Sequence, residues 1–126
     1  MNPGDRFTIR HIVAENETAE NLGSGGLPVY ATPAMICLME RTACSLAANE
    51  GHHTVGTKVD ISHVRACLTG TELESYAELV EVEGRRLLFK VGVSDSKGVL
   101  GEGLHERYVI DPERFMSRLN NEKDNK

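Results

Sequence analysis

No run of apolar residues approaches the roughly 18 that a membrane span needs, and the start, MNPGDRF, lacks the apolar stretch of a signal peptide. Both absences point to a chain that stays in the cytoplasm and has no membrane partner. Basic residues are few: 14 Lys and Arg stand against 19 Asp and Glu, for a net charge of -5, and they are scattered. Contacts that release counterions from phosphates need a basic stripe, so the composition argues against a nucleic-acid partner. Cysteine is limited to Cys37, Cys44 and Cys67, an odd number without CxxC spacing, which supports neither a disulfide framework nor a zinc cluster. His52, His53 and His63 make no better metal set, because adjacent residues of a strand point apart. Neither a metal nor another cofactor is expected.

The 126 residues, 40% of them hydrophobic, suit one compact domain. It is placed at residues 1–119, followed by the tail NNEKDNK over 120–126, too polar to pack.

The stretch TPAMICLMERTACSLAANEG has the start and stop signals of a long helix. Thr32 can serve as N-cap, Pro33 suits the first turn and Gly51 suits the C-terminal cap. Ahead of it, RFTIRHIV alternates as a strand over 6–13, and the polar, glycine-rich AENETAENLGSGG reads as a connector or as a mobile flap over a pocket. Beyond residue 54 the period becomes two, broken by turns at LTG, VEG and SKG. The spacing predicts strands near 54–66, 71–82, 85–94 and 99–110, then a short helix from Pro112 to Leu119. One long helix and five antiparallel strands make an α+β fold, a sheet wrapped on a central helix. An open edge strand favours a homodimer that continues the sheet.

Three polar residues stand out. Glu40 shares a helix face with Ile36, Ala43, Cys44 and Ala47, so its carboxylate points inward or sits at the margin of the buried stripe, opposite Arg41, Ser45 and Asn49. Burying it requires a partner, which is either a structural cation or a functional group. In an extended strand Thr57, Val59, Ile61 and His63 share one face while Lys58, Asp60 and Ser62 share the other. His63 on the apolar side is either a satisfied core residue or, if it meets Glu40, a base beside its orienter. Thr32 either caps the helix or lends its hydroxyl to an oxyanion site at the helix start. His105 reads as strand surface or core, and Cys44 as packing.

The segments ATPAMICLMERTAC, GTKVDISHVRACLTG, EVEGRRLLFKVGVSD and GEGLHERYVID, in that order, resemble the hotdog-fold thioesterases similar to fluoroacetyl-CoA thioesterase. The resemblance runs from Gly4 to Phe115. It implies a homodimer that hydrolyses an acyl-CoA substrate near the dimer interface, coenzyme A being part of the substrate; whether dimers pair further into a tetramer is left open. It further implies catalytic roles for Thr32, Glu40 and His63, and substrate contacts at Gly56 and Arg107. Whether Arg107 meets a coenzyme A phosphate or a carboxylate of the protein is left open. Thr32 and Glu40 are eight helical residues apart, a rise of about 12 Å. One site that uses both is therefore expected to draw them from different subunits, unless the chain at Thr32 folds back. In place of an aromatic-bearing lid the chain has NLGSGGLPVY, which points away from fluoroacetyl selectivity. A non-catalytic acyl-CoA sensor, or a hydratase on the same fold, are the competing readings.

Overall fold

The computed structural model describes residues 1–124. Strand β1 (Arg6–Ile12) leads through a 3-10 turn at Glu15–Glu17 into a short helix, α1 (Ala19–Leu22), and then the long helix α2 (Thr32–Asn49). Strands β2 (His53–His63), β3 (Glu72–Glu83), β4 (Arg86–Asp95) and β5 (Gly98–Ile110) follow, and helix α3 (Pro112–Asp124) closes the chain. The five strands form one sheet in the order β1-β3-β4-β5-β2, with every neighbouring pair antiparallel.

Helix α2 packs across one face of the sheet. Met35, Leu38, Met39, Ala43, Leu46 and Ala47 recur at three- and four-residue spacing and are all buried, against Leu73, Ala77, Leu79, Phe89, Val91 and Val93 of β3 and β4. Gly101 of β5 lets the helix come close, because a Cβ there would lie 2.5 Å from the Met35 methyl and 2.7 Å from the Ser62 carbonyl. The helix ends as its sequence requires. Gly51 takes the left-handed conformation at φ 81°, and the amides of Gly51 and His52 donate to the carbonyls of Ala48 and Ala47. Between α2 and the sheet, Thr42 and Ser75 share a buried hydrogen bond of 2.7 Å.

The structure departs from the sequence expectations in four places. Helix α2 is capped by Ala31, in extended conformation and without a side-chain bond, so Thr32 is the first helical residue and not the N-cap. A bulge between Gly56 and Lys58 shifts the register of β2, and Thr57 hydrogen-bonds the outward-facing Glu106 instead of sharing the face of Val59. The segment before α2 is more than a connector. Thr18 caps α1 and bridges to Tyr30, and Gly23 closes that helix at φ 74°. Finally, α3 runs past Leu119 to Asp124, with Met116 and Leu119 about half exposed. A helix already nucleated extends at little cost through Glu and Lys. Residues 125–126 of the expected tail lie outside the described residues.

Candidate active site

Because the N-cap role falls to Ala31, the Thr32 hydroxyl is free to turn sideways. It meets His63 Nδ1 at 2.7 Å, joining the first turn of α2 to the last residue of β2. The second ring nitrogen of His63, Nε2, is buried without a hydrogen-bond partner among the described residues. Burial holds the His63 pKa below its usual value, partly offset by the Arg65 backbone. The imidazole is thus kept neutral at pH 7, with one nitrogen engaged by a hydroxyl and the other unspent. An open cavity of 290 Å³ adjoins the pair, bounded by Ala19, Ser24, Val29 and Tyr30. Tyr30 stands edge-on to His63 with ring centroids 6.5 Å apart. The one aromatic of the lid segment therefore turns into the core, at 1% exposure, and leaves Leu22 and Leu27 exposed above.

Glu40 lies farther along α2, at the margin of the buried stripe, with 42% of its side chain exposed in the single chain. Its Oε2 is 3.8 Å from Arg107 Nη1, an ion pair without a direct hydrogen bond. Arg107 points inward from β5 with only 7% of its side chain exposed, donating from Nε to the Thr54 hydroxyl at 2.8 Å and from Nη2 to the Thr54 carbonyl at 3.1 Å. Its Nη1 reaches His105 Nε2 at 3.1 Å. In the single chain Arg107 thus faces a carboxylate of its own chain. Gly56, directly across from Arg107 on β2, makes room for the cluster. A Cβ there would lie 3.0 Å from Glu40 Oε2, 3.2 Å from Arg107 Nη1 and 3.2 Å from His105 Cε1.

The five residues singled out by the sequence thus form two groups within one chain, Thr32 with His63 and Glu40 with Arg107 and Gly56. Glu40 and His63 do not pair: the partner of His63 is Thr32 and that of Glu40 is Arg107. The strand explains it. Gly56 and His63 sit seven positions apart on β2, on the order of 20 Å, so the two clusters occupy different stations along the helix. The sequence reading missed His105 and Thr54 as the residues that hold Arg107. The signal was the spacing in HER, which puts two polar side chains on one face of β5. A separate depression of 710 Å³, bounded among others by Arg10, Glu72, Glu74 and Asp95, contains none of these groups. Among the described residues no three His, Cys, Asp or Glu side chains converge to hold a metal ion.

Residues 13–113 match the family model described as fluoroacetyl-CoA-specific thioesterase. A fluoroacetyl-CoA thioesterase from Streptantibioticus cattleyicolor is 34% identical over 128 residues, spanning 94% of this chain and 92% of that protein. A solved structure of a fluoroacetyl-CoA thioesterase superposes with a TM-score of 0.87 at 33% identity over 96% of both chains. A mutant of that enzyme in complex with acetyl-CoA superposes at 0.90, with 31% identity over 97% of this chain and 98% of the other. A thioesterase superfamily member from Thermus thermophilus, 23% identical over 99% of this chain and 97% of its own with a TM-score of 0.86, shows the shared fold alone. The architecture is the hotdog fold expected from the sequence. With a family match over most of its length and a relative at 34% identity covering 94% of it, the chain belongs to the fluoroacetyl-CoA-specific thioesterase family.

Proposed function

We propose that the protein is an acyl-CoA thioesterase that hydrolyses a small acyl-CoA to the free acid and coenzyme A, without selectivity for the fluoroacetyl group. The observation that carries this reading is the Thr32–His63 hydrogen bond at the start of α2, with a second, unspent imidazole nitrogen. A thioester needs little activation. It requires a nucleophile in position, a group to take a proton and donors for the oxyanion. Neutral His63 supplies the base, and the Thr32 hydroxyl binds the carbonyl or the attacking group. Glu40 supplies the carboxylate, either orienting the attacking water or attacking the acyl carbon so that the C–S bond breaks and coenzyme A leaves as its thiolate, giving an anhydride that water then cleaves to the free acid and the carboxylate.

Within one chain Glu40 is too far along α2 to join Thr32, since eight residues rise about 12 Å. The reading therefore includes a homodimer in which Glu40 of one protomer completes the Thr32–His63 site of the other. Strand β2 supports this arrangement. Among the described residues it pairs only with β5, which leaves its other edge available to continue the sheet into a second copy.

Indifference to fluorine follows from the lid. Gly23, Gly25 and Gly26 carry no apolar cover, and Tyr30 is withdrawn into the core. Thiol release from a panel of acyl-CoAs, short to long and including fluoroacetyl-CoA, tests the reading on wild type, His63→Ala and Glu40→Ala. Turnover of several short acyl-CoAs, reduced by orders of magnitude in both variants, is expected. A preference of orders of magnitude for fluoroacetyl-CoA over acetyl-CoA would overturn the claim about selectivity. Acyl-CoA binding without turnover by the wild type would make the protein a sensor.

A further inference from the structure

His105 has no task in the chemistry above, yet it is 1% exposed and both of its ring nitrogens are committed. Nδ1 lies 2.8 Å from the Lys58 carbonyl, which can only accept, so Nδ1 carries the proton. Nε2 lies 3.1 Å from Arg107 Nη1, which can only donate, so Nε2 presents a lone pair. The tautomer is fixed by its neighbours. A protonated ring would set N–H against N–H beside a second cation. Burial and Arg107 both hold the His105 pKa below its usual value, against the Lys58 carbonyl and the more distant Glu40 and Glu106.

This acceptor completes the enclosure of Arg107. Thr54 holds the guanidinium at Nε and Nη2, and His105 holds it at Nη1. So gripped, the guanidinium stops 3.8 Å short of Glu40 Oε2. A guanidinium free to swing would close on the carboxylate as a bidentate pair and occupy both of its oxygens. Gly56 shows how tightly the arrangement is set, since one added carbon would touch all three side chains.

We propose that His105 is a positioning residue: as a neutral acceptor at Nε2 it holds Arg107 so that Glu40 is charge-paired but keeps its oxygens for the reacting groups. This rests on Glu40 taking part in thioester hydrolysis. His105 acts only through Arg107.

The test is a double-variant cycle with rescue. His105→Leu fills the space without a donor or acceptor, whereas His105→Gln offers both at a similar separation. For the best acyl-CoA of the panel, kcat is expected to fall about tenfold in His105→Leu with little change in KM, and to recover to within about threefold in His105→Gln. Introduced into Arg107→Ala, His105→Leu should lower kcat no further, because the group it acts through is gone. Losses that multiply in the double variant, or equal losses for Leu and Gln, would overturn the proposal by showing that His105 only fills space. A wild type that turns over no acyl-CoA would sink the thioesterase reading separately. In that event the Arg107 Nη1–H signals by NMR still read the grip: sharp in wild type and His105→Gln and broadened in His105→Leu if His105 holds the guanidinium there, unchanged in all three if it does not.

Discussion

Thr32 and His63, 31 residues apart in the chain, meet at 2.7 Å because the first turn of α2 packs beside the last residue of β2. The contact exists because Thr32 is not spent on capping its own helix, a role that falls to the Ala31 backbone. Function and stability are therefore separable at this position.

Replacing Thr32 by Val is expected to lower kcat about a hundredfold while changing stability by less than about 0.5 kcal/mol, as for an exposed residue without a capping bond. Thr32→Ser, which keeps the hydroxyl, should retain most of the activity. Kinetics alongside urea unfolding separates the two effects, and a stability loss of the size usual for a lost N-cap would show that the hydroxyl caps α2 after all.

The pH dependence follows from the imidazoles of the part-buried His63 and the buried His105. His63 and His105 both have pKa values depressed mainly by burial, so the folded state binds fewer protons than the unfolded chain. Their contribution to stability is complete above the ordinary histidine value of about 6.5 and declines as the pH falls from there through the depressed values. The acid limb of kcat/KM, which reports neutral His63, should accordingly lie below the ordinary histidine range. Unfolding curves from pH 8 to pH 5 should lose stability on acidification, and His105→Gln should flatten part of that slope.

Gly56→Ala tests the crowding around Glu40. The new methyl carbon would sit 3.0 Å from the carboxylate and 3.2 Å from Arg107 and His105, so at least one must move. Stability is expected to fall by about 1–2 kcal/mol, in the range of mild overpacking, and kcat by about tenfold or more. Unchanged kinetics would mean that Glu40 is free to sit elsewhere during turnover.

A control lies on the other side of α2. Thr42→Val leaves the Ser75 hydroxyl buried without its 2.7 Å partner. A loss of about 1–3 kcal/mol is expected from the orphaned group, with specific activity per folded molecule unchanged. Thermal and chemical denaturation read the first, and active-site titration the second.

Much of this arrangement was legible in the sequence because it depends on periodicity. The five strands, the long helix and its glycine stop follow from local patterns, and the inward lean of Glu40 follows from helix spacing. What was not legible depends on backbone states or on register between distant strands. Thr32 has the preferred chemistry of an N-cap, but the extended residue proved to be Ala31, one position earlier. The face of Thr57 was misread because one bulge residue inverts the alternation. The pairing of Arg107 with Glu40 needs β5, β2 and α2 to be in place together, and no local pattern encodes that. Helix α1 was hidden by its length, although Thr18 and Gly23 are in retrospect its cap and its stop.

Mixing two inactive variants shows whether the Thr32–His63 pair of one protomer works with Glu40 of another. In a heterodimer of His63→Ala and Glu40→Ala chains, one of the two shared sites would carry both lesions and the other neither. After random exchange of subunits, half the dimers are mixed and half of their sites are intact, so activity should return to about one quarter of wild type. Activity that stays at the level of the separate variants, in a mixture shown to contain heterodimers, would contradict the account and place all three residues of each site in one chain.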